Sequence, residues 1–318
     1  MNSTHKVEVV PVQLLPHPNA DSLSIVQVFG YQVCVRTADW EGKTLGAFIP
    51  PDSIVPDTPE YAFLGGKLRI KAKRLRGVKS FGLLVPAPEG SVLWENVAEK
   101  LGITHYDPPE PLSMGGDAEK PPVYEDENGF RSTYPVYDVE SLRRYPDVLK
   151  AGELVSVTEK IHGCNARFLY LNERLYAGSH TTWKAVDPNS LWWKVLNRET
   201  GLQAYLSEHP GICVYGEIYG QVQDLKYQGG LNLAVFDAYN PRTGQWFVPD
   251  DSRLTRVPEL YNGPFDLETV LGLAEGRSAV VGASNVREGV VVRPLRDRWE
   301  NGERVIYKAV GVGYLERA

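Results

Sequence analysis

The sequence predicts a two-part α+β protein, in which a small β-barrel precedes a larger domain of mixed strands and helices. In residues 7–105, short β-type runs are separated by Pro and Gly, and little helical spacing is present. A segment rich in Pro and acidic residues follows, and the remaining two-thirds of the chain mixes apolar strands with helical patterns. A chain of 318 residues is long enough to form two separate cores.

Short runs in the N-terminal third have the composition of strands and predict the barrel. They cover residues 7–10, 25–29, 31–35, 47–49, 68–72 and 82–85. From residue 68 to residue 73 apolar and basic residues alternate, so one face of this strand can pack while the other presents positive charge.

Positive charge is concentrated in one strip, KLRIKAKRLRGVK at 67–79, which contains no acidic residue. Because the whole chain has a net charge of −6, this strip stands out and predicts contact with a phosphate backbone. The alternative is a solubilising edge strand, since lysines on sheet edges also oppose aggregation. The predicted nucleic-acid-binding residues are Lys67, Arg69, Lys71, Lys73, Arg74 and Arg76.

Residues 106–135 are too rich in Pro, Gly and acids to bury a core. We therefore predict a barrel domain over 1–112, a linker over 113–133 and an α+β domain over 134–318. In the last domain the apolar spacing predicts helices at 139–149, 188–207 and 266–274. Strands are predicted at 154–157, 168–171, 175–179, 212–220, 231–239, 287–294 and 304–311.

Composition also limits the location and the kind of site. The chain has no run of about 18 apolar residues and no apolar secretory signal, which predicts a cytoplasmic protein that does not enter a membrane. Its three cysteines lack C-x-x-C spacing, which argues against a zinc site and against a disulfide framework. No protein partner is indicated.

Four ionisable residues interrupt runs that otherwise have the composition of buried strands. A charge in such a strand is costly unless it is paired or contacts a ligand. Each could be a structural ion pair, but together two amines and two carboxylates predict a site for a metal-bound nucleotide, in which a desolvated lysine can act as a nucleophile. These residues are Lys160, Glu217, Glu288 and Lys308.

Ordered motifs around these residues resemble motifs I, III, IIIa, IV and V of the covalent nucleotidyltransferases. The segments are EKIHG (159–163), YGEIYG (215–220), LAVFDAY (233–239), REGVVVRP (287–294) and IYKAVG (306–311). Segments 14–28 and 75–86 resemble the OB-fold tRNA-binding domains of some aminoacyl-tRNA synthetases. The K-x-H-G-x-N form, and an OB domain placed before the motifs, are similar to ATP-dependent RNA ligases of the Deinococcus type.

The resemblance implies that Lys160 attacks the α-phosphate of ATP and holds AMP. It implies that AMP then passes to a 5′-phosphate, which is sealed to a 3′-OH in a nicked RNA or RNA/DNA duplex. Glu217 would bind the ribose and Phe236 would stack on adenine, while Glu288 and Asn165 would bind Mg²⁺ or Mn²⁺. The implied nucleotide-binding residues are Glu159, His162, Asn165, Glu217, Phe236, Glu288 and Lys308.

The sequence departs from the RNA ligase pattern at two places. Residues 178–180 read Gly-Ser-His where many RNA ligases have an arginine, and Ile306 leaves Lys308 as the lysine of motif V. One alternative is a capping-type guanylyltransferase, which is disfavoured because only residues 311–318 follow motif V, where such enzymes carry an OB domain. A second alternative is a non-catalytic RNA-binding protein with a vestigial domain, which the four charged residues disfavour.

Overall fold

The structure is a computed structural model that describes residues 5–106, 115–223, 225 and 227–317. Contacts within the chain divide it into two compact units. The first unit contains the residues up to 108 together with 140–150 and 309–318, and the second contains 109–139 and 151–308. Segments 140–150 and 309–318 have no compositional feature that assigns them to the first unit. The domain limits drawn from the sequence therefore placed both segments in the second domain.

Short antiparallel strands form the first unit. Up to residue 106 the strands are β1 (Glu8–Pro11), β2 (Leu15–Pro16), β3 (Leu23–Val28), β4 (Tyr31–Arg36), β5 (Leu45–Ile49), β6 (Ser53–Ile54), β7 (Ala72–Leu75), β8 (Val78–Phe81), β9 (Leu83–Pro86) and β10 (Thr104–His105). Helix α1 (Thr37–Trp40) and a 3₁₀ helix (Pro59–Leu64) lie between them. The strand orders are β1-β5-β9, β2-β3-β4, β7-β8 and β6-β10.

The period-two pattern of β3 and β4 explains the core of this unit. Val26 and Val28 on β3, and Tyr31, Val33 and Val35 on β4, are all buried, while the residues between them are more exposed. Successive side chains of a strand point to opposite faces, so one face of this hairpin packs inward. The strands predicted at 25–29 and 31–35 are therefore confirmed.

The strand predicted at 68–72 is wrong in its position. The strand that the structure forms here is β7, which begins only at Ala72 and pairs with β8. Arg69 instead donates to the Asp52 carboxylate at 2.6 Å, and its guanidinium lies 3.8 Å from the Tyr106 ring centroid. These contacts engage the arginine locally, and the alternation of apolar and basic residues did not reveal them.

From residue 115 onward the chain adds further strands and four helices among the described residues. The strands are β11 (Val123–Glu125), β12 (Arg131–Thr133), β13 (Glu140–Ser141), β14 (Leu154–Lys160), β15 (Cys164–Leu171), β16 (Arg174–Gly178), β17 (Trp183–Lys184), β18 (Cys213–Tyr219), β19 (Asn232–Asn240), β20 (Gln245–Phe247), β21 (Glu259–Pro264), β22 (Gly289–Pro294), β23 (Trp299–Glu300), β24 (Glu303–Arg304) and β25 (Tyr307–Val310). The helices are α2 (Leu191–Arg198), α3 (Thr200–Glu208), α4 (Leu267–Leu273) and α5 (Val312–Arg317).

Two sheets carry the second unit. The larger has the order β17-β16-β15-β18-β19-β20, with antiparallel neighbours throughout. In the other, β14 lies between β21 and β22, and β22 neighbours β25, whose first two residues belong to this unit. This arrangement explains why the predicted motifs, which are far apart in sequence, occupy adjacent strands.

The larger sheet buries one face against α2 and α3. Phe168 on β15 and Ile218 on β18 are fully buried in one cluster with Trp192, Leu196 and Leu206 of the helices. Because neighbouring residues of a strand point to opposite faces, Asn165 and Glu217 lie on the face that the helices do not cover. The polar residues that the motifs predict therefore share one side of this sheet.

Two of the three predicted helical regions are confirmed. Residues 266–274 form α4, capped by the Asp266 side chain, which accepts from the Thr269 N–H at 2.8 Å. Region 188–207 forms two helices, α2 and α3, because the chain leaves helical geometry at Glu199. Within the described ranges, no helix is long and apolar enough to cross a membrane.

The helix predicted at 139–149 is wrong. These residues form turns after β13, and Pro146, which has no N–H to donate, lies within them.

The described part of the predicted linker has regular structure, since β11 and β12 form an antiparallel hairpin. Glu119 accepts from Arg174 at 2.6 Å, which ties this segment to β16. A Pro-rich composition did not prevent residues 115–133 from packing locally.

Candidate active site

Lys160 ends β14 and forms an ion pair with Glu288, which directly precedes β22. The Lys160 Nζ lies 2.5 Å from Glu288 Oε1, and the side chains are 29% and 11% exposed. The pairing of Lys160 with Gly289 across β14 and β22 places the two charges next to each other. A carboxylate at this distance favours the charged form of the amine, so the lysine must lose this partner before it can act as a nucleophile.

His162 completes the polar cluster around Glu288. Its Nδ1 lies 3.5 Å from Glu288 Oε2, and its backbone N–H donates to the Tyr227 hydroxyl at 3.2 Å. Burial would raise the pKa of Glu288, but Lys160 and His162 more than offset this effect, so that pKa lies below its ordinary value. Glu288 is therefore an ionised carboxylate with two cationic or donor neighbours.

Glu217 and Asn165 face each other across β18 and β15, on the uncovered face of the larger sheet. Burial raises the pKa of Glu217 to about 8; the charge of Lys160 opposes this shift and that of Glu288 adds to it. Gly163 makes the approach possible, since a Cβ there would lie 2.2 Å from the Ile218 carbonyl oxygen. Lys160, His162, Glu217 and Glu288 are thus brought into one cluster.

Phe236 lies on β19 at a bulge opposite β18 and is only partly buried. Its ring centroid is 4.6 Å from that of Tyr137. Lys308 lies on β25 between the buried residues Tyr307 and Ala309, so its side chain faces away from theirs. Both predicted residues therefore lie on strands of the two sheets, at partly exposed positions.

The sequence did not identify Asp237, which is fully buried and binds three groups. It accepts hydrogen bonds from the Tyr137 hydroxyl at 3.0 Å, from Arg293 Nη1 at 3.3 Å and from Arg304 Nη1 at 2.5 Å. Because Asp237 lies on β19 and Arg293 on β22, the carboxylate links the two sheets of the second unit. The arginines within apolar strands were the signal that could have predicted an acidic partner.

The structure places residues 178–180 at the end of β16 and after it. Ser179 is 1% exposed, whereas His180 is only partly buried and its Nε2 lies 3.2 Å from Asp138 Oδ1. Arg167 lies opposite Gly178 on the neighbouring strand, is buried, and has its guanidinium 4.5 Å from the Trp183 ring centroid. The Ser179 side chain is therefore buried and uncharged, while His180 is placed beside an acidic residue.

In the first unit, the basic strip forms the hairpin β7–β8. Arg76 and Gly77 both have positive φ, at 46° and 86°, which is the geometry of a tight two-residue hairpin turn. Lys73 and Arg76 are exposed, while Arg74 Nη2 lies 3.1 Å from Glu316 of α5. The exposed basic residues of the strip are therefore those of this hairpin together with Lys67, whereas Arg69 and Lys71 are partly buried.

The donor set at Glu288 fits a hydrated Mg²⁺ or Mn²⁺ ion. Across the described ranges, no cluster of three or more His, Cys, Asp or Glu side chains could hold a metal by itself. Mg²⁺ sites at nucleotides use one or two carboxylates and complete their coordination with waters and phosphate oxygens. Glu288, with Glu217 and the Asn165 amide on the facing sheet, supplies hard oxygen donors of this kind.

Comparison with known proteins gives the family. A family model described as RNA ligase matches residues 153–310, the region that contains every motif residue named above. Over these residues the chain is similar to the RNA ligase family. An OB-fold domain model matches residues 5–87, and among curated proteins none matches the chain. The sequence-based resemblance to RNA ligases with an N-terminal OB domain is confirmed.

Solved structures agree with this architecture over nearly the whole chain. The chain is similar to Naegleria gruberi RNA ligase with PPi, at a TM-score of 0.81 and 20% identity, with 99% of each chain covered. Variants of that ligase with ATP and Mn, and with AMP and Mn, give TM-scores of 0.80 and 0.82 at 19% and 20% identity; coverage of both chains is 98% and 99%, respectively. At these identities the likeness concerns the fold, and the predicted fold class is confirmed.

Replacing Glu217 with glutamine tests the electrostatics of this polar cluster. Because folding raises the Glu217 pKa from 4.5 to about 8, the protonated carboxyl is favoured in the folded state, and stability is lost as the pH rises from about 4.5 to about 8. Glu217→Gln should therefore raise the melting temperature by a few degrees more at pH ~8.5 than at pH ~4.5. Scanning calorimetry at both pH values measures this; an equal gain at both would contradict the raised pKa.

Asp237→Asn should lower the free energy of unfolding by about 3–5 kcal/mol, because it leaves two buried arginines beside a neutral amide. Urea titration monitored by tryptophan fluorescence measures the change. Asp250→Asn is the matched control, since the Asp250 side chain is fully exposed and 3.9 Å from Arg256. If both variants changed stability equally, Asp237 would not have the structural role described.

Proposed function

We propose that this protein is an ATP-dependent RNA ligase that forms a covalent AMP adduct on Lys160. It then transfers AMP to a 5′-phosphate end and seals that end to a 3′-OH, at nicks in RNA or RNA/DNA duplexes. The observation that carries the proposal is the Lys160–Glu288 ion pair, located at the start of β22 within the region of the RNA ligase family. The other proposed ligands of the nucleotide lie on the strands around it.

The first reaction joins Lys160 to AMP. The Lys160 Nζ gives up a proton and forms a bond to the α-phosphorus of ATP, while the bond between that phosphorus and the bridging oxygen breaks and pyrophosphate leaves. His162, which lies against Glu288, is suited to contact the leaving pyrophosphate. Glu288 holds the amine in place but also favours its charged form, so proton loss has to accompany the release of this ion pair.

The next two reactions use the activated phosphate. A 5′-phosphate oxygen displaces Lys160 from AMP, and the 3′-OH then attacks the activated 5′-phosphate, forms the phosphodiester and releases AMP. Little other covalent chemistry is required of the protein, so positioning and charge neutralisation carry these steps. Lys308, on the strand beside β22, is a suitable cation for the α-phosphate.

The nucleotide and metal assignments rest on the donor chemistry of the site and on similar proteins. Variants of Naegleria gruberi RNA ligase, which shares the fold, have been solved with ATP and Mn and with AMP and Mn. We propose that ATP is the substrate here, with Glu217 as a hydrogen-bond partner of the ribose and Phe236 stacked on adenine. When bound, Mg²⁺ or Mn²⁺ would neutralise phosphate charge, held by Glu288 and Asn165.

We propose that the hairpin β7–β8 binds the phosphate backbone of the substrate. Lys73 and Arg74 are exposed on its first strand, Arg76 is exposed on the tight turn, and Lys79 is half-buried on the second strand. Lysine and arginine side chains that neutralise phosphates release counterions, which makes the binding salt-dependent. We further propose a cytoplasmic location, in keeping with the free thiols of Cys34, Cys164 and Cys213.

The two alternative functions are less well supported. A capping-type guanylyltransferase would use the same lysine chemistry, but the family match of residues 153–310 is to RNA ligase. A vestigial RNA-binding domain has no need of a close, partly buried lysine–carboxylate pair, yet Lys160 and Glu288 form one at 2.5 Å. Both observations favour the ligase.

Lys160→Ala should abolish the AMP adduct, because no other amine is proposed to attack the α-phosphate. The measurement is transfer of label from α-labelled ATP to protein on a denaturing gel. The variant should still seal a nick whose 5′ end already carries AMP, since that step does not use the lysine as a nucleophile. An adduct of undiminished yield in the variant would contradict the assignment of Lys160.

Charge reversal of the hairpin should weaken substrate binding without affecting the adduct. We expect Lys73→Glu, Arg76→Glu and Lys79→Glu together to weaken binding of a nicked duplex by about tenfold or more at ~0.1 M salt, and to reduce the slope of log K against log salt by about 3. Fluorescence anisotropy at several salt concentrations measures both quantities.

A matched control reverses the same number of exposed charges elsewhere in the first unit. The combined substitutions Arg36→Glu, Lys43→Glu and Lys100→Glu change the net charge equally at exposed positions outside the hairpin. They should weaken binding less than the hairpin variant does. Equal weakening by the two sets would mean that total charge, rather than this hairpin, determines binding.

A further inference from the structure

Glu159, which directly precedes Lys160, is fully occupied by protein groups. It is 1% exposed. One carboxylate oxygen accepts from the Ser278 hydroxyl at 2.5 Å, and the other accepts from the Ala279 N–H at 2.6 Å. The second oxygen also lies 3.6 Å from Arg287 Nε. With these partners, the carboxylate is not placed to contact a nucleotide.

The partners of Glu159 belong to one loop, residues 276–287, which leads into Glu288. The loop is closed at its base, because the Arg287 N–H donates to the Gly276 carbonyl at 2.9 Å and the Ser278 N–H donates to the Asn285 carbonyl at 3.0 Å. Arg287 also donates to the Leu273 carbonyl at 2.5 Å. Glu159 therefore holds both ends of this loop against β14.

The end of β14 and the segment that leads into β22 contact each other through two consecutive residues on each side. Glu159 contacts Arg287, and the next residue in each segment, Lys160 and Glu288, forms the ion pair of the active site. Successive side chains of β14 point to opposite faces of the sheet, so Glu159 acts from the side opposite Lys160. A displacement of Arg287 would carry Glu288 with it.

We infer that Glu159 is a positioning residue, which holds the loop 276–287 and thereby fixes Glu288 against Lys160. The inference rests on the proposed function and changes one part of it: the resemblance to RNA ligases implied that Glu159 binds the nucleotide. Since misplacement of a reacting group by about 1 Å can cost about 100-fold in rate, such a residue affects catalysis without touching the substrate.

The test compares Glu159→Ala and Glu159→Gln in the full-length protein. The rate of AMP adduct formation is measured across a range of ATP concentrations. A positioning role predicts that Glu159→Ala lowers the rate at saturating ATP by on the order of 100-fold and leaves the half-saturating ATP concentration within about twofold. The Glu159→Gln side chain can still form hydrogen bonds with Ser278 and Ala279. Its rate at saturating ATP should therefore be at least about tenfold higher than that of Glu159→Ala, by the same positioning argument.

Glu259→Ala is the matched control. Glu259 on β21 accepts a hydrogen bond from the Ser156 hydroxyl on β14 at 2.8 Å. It therefore makes the same kind of serine–glutamate contact with β14 as Glu159 makes with Ser278, but away from the loop 276–287. It should leave the rate at saturating ATP unchanged. A rise in half-saturating ATP with an unchanged maximal rate for Glu159→Ala would overturn the inference in favour of direct nucleotide binding.

A second readout does not depend on ligation. Lys160 is labelled with an amine reagent in the protein without nucleotide, and its extent of labelling relative to other lysines is measured by mass spectrometry. Glu159→Ala should change this ratio several-fold, because Glu288 no longer holds the amine, while the melting temperature reports any general loss of structure. An unchanged ratio in a folded variant would overturn the inference. If the wild-type protein formed no adduct, the proposed function would fail, and the labelling ratio would still decide the role of Glu159.

Discussion

The ion pair between Lys160 and Glu288 is the interaction on which the rest of the site depends. A lysine and a carboxylate at 2.5 Å, both largely removed from water, are stable only because each compensates the charge of the other. Lys160, together with His162, sets the pKa of Glu288 below its ordinary value, and at Glu217 the Lys160 charge opposes the raised pKa while the Glu288 charge adds to it. Any ligand that takes over Glu288 would therefore remove the carboxylate partner of the Lys160 amine, as the proposed reaction requires.

Buried carboxylates behind the site hold this pair in place. Glu159 fixes the loop that delivers Glu288, while Asp237 links the sheet that carries Glu217 to the sheet that carries Lys160. Both are almost completely buried and both have arginine partners. The catalytic geometry thus rests on charged groups that lie in the interior and do not face the substrate side, which makes their removal costly for structure and for chemistry.

Sequence patterns predicted the two-part architecture, most strands and the cluster of Lys160, Glu217 and Glu288, because each charge interrupts an apolar strand. They could not predict Asp237, since a buried aspartate is recognised only when arginines from distant strands are seen beside it. The strand expected at 68–72 begins instead at Ala72, and Arg69 makes an isolated antiparallel bridge with Ile54. Arg69 also binds Asp52, a contact between separate segments that alternation does not encode. Local sequence patterns identify strands, whereas the partners of charged side chains depend on contacts between segments that are distant in the sequence.

The most direct test of this account is the identity of the nucleotide and of the residue it joins. Purified protein would be incubated with Mg²⁺ or Mn²⁺ and with ATP or GTP in parallel, after removal of any AMP already bound, and digested for mass spectrometry. The account predicts an acid-labile AMP adduct on the peptide that contains Lys160. An adduct formed only from GTP, or one on a different residue, would contradict it.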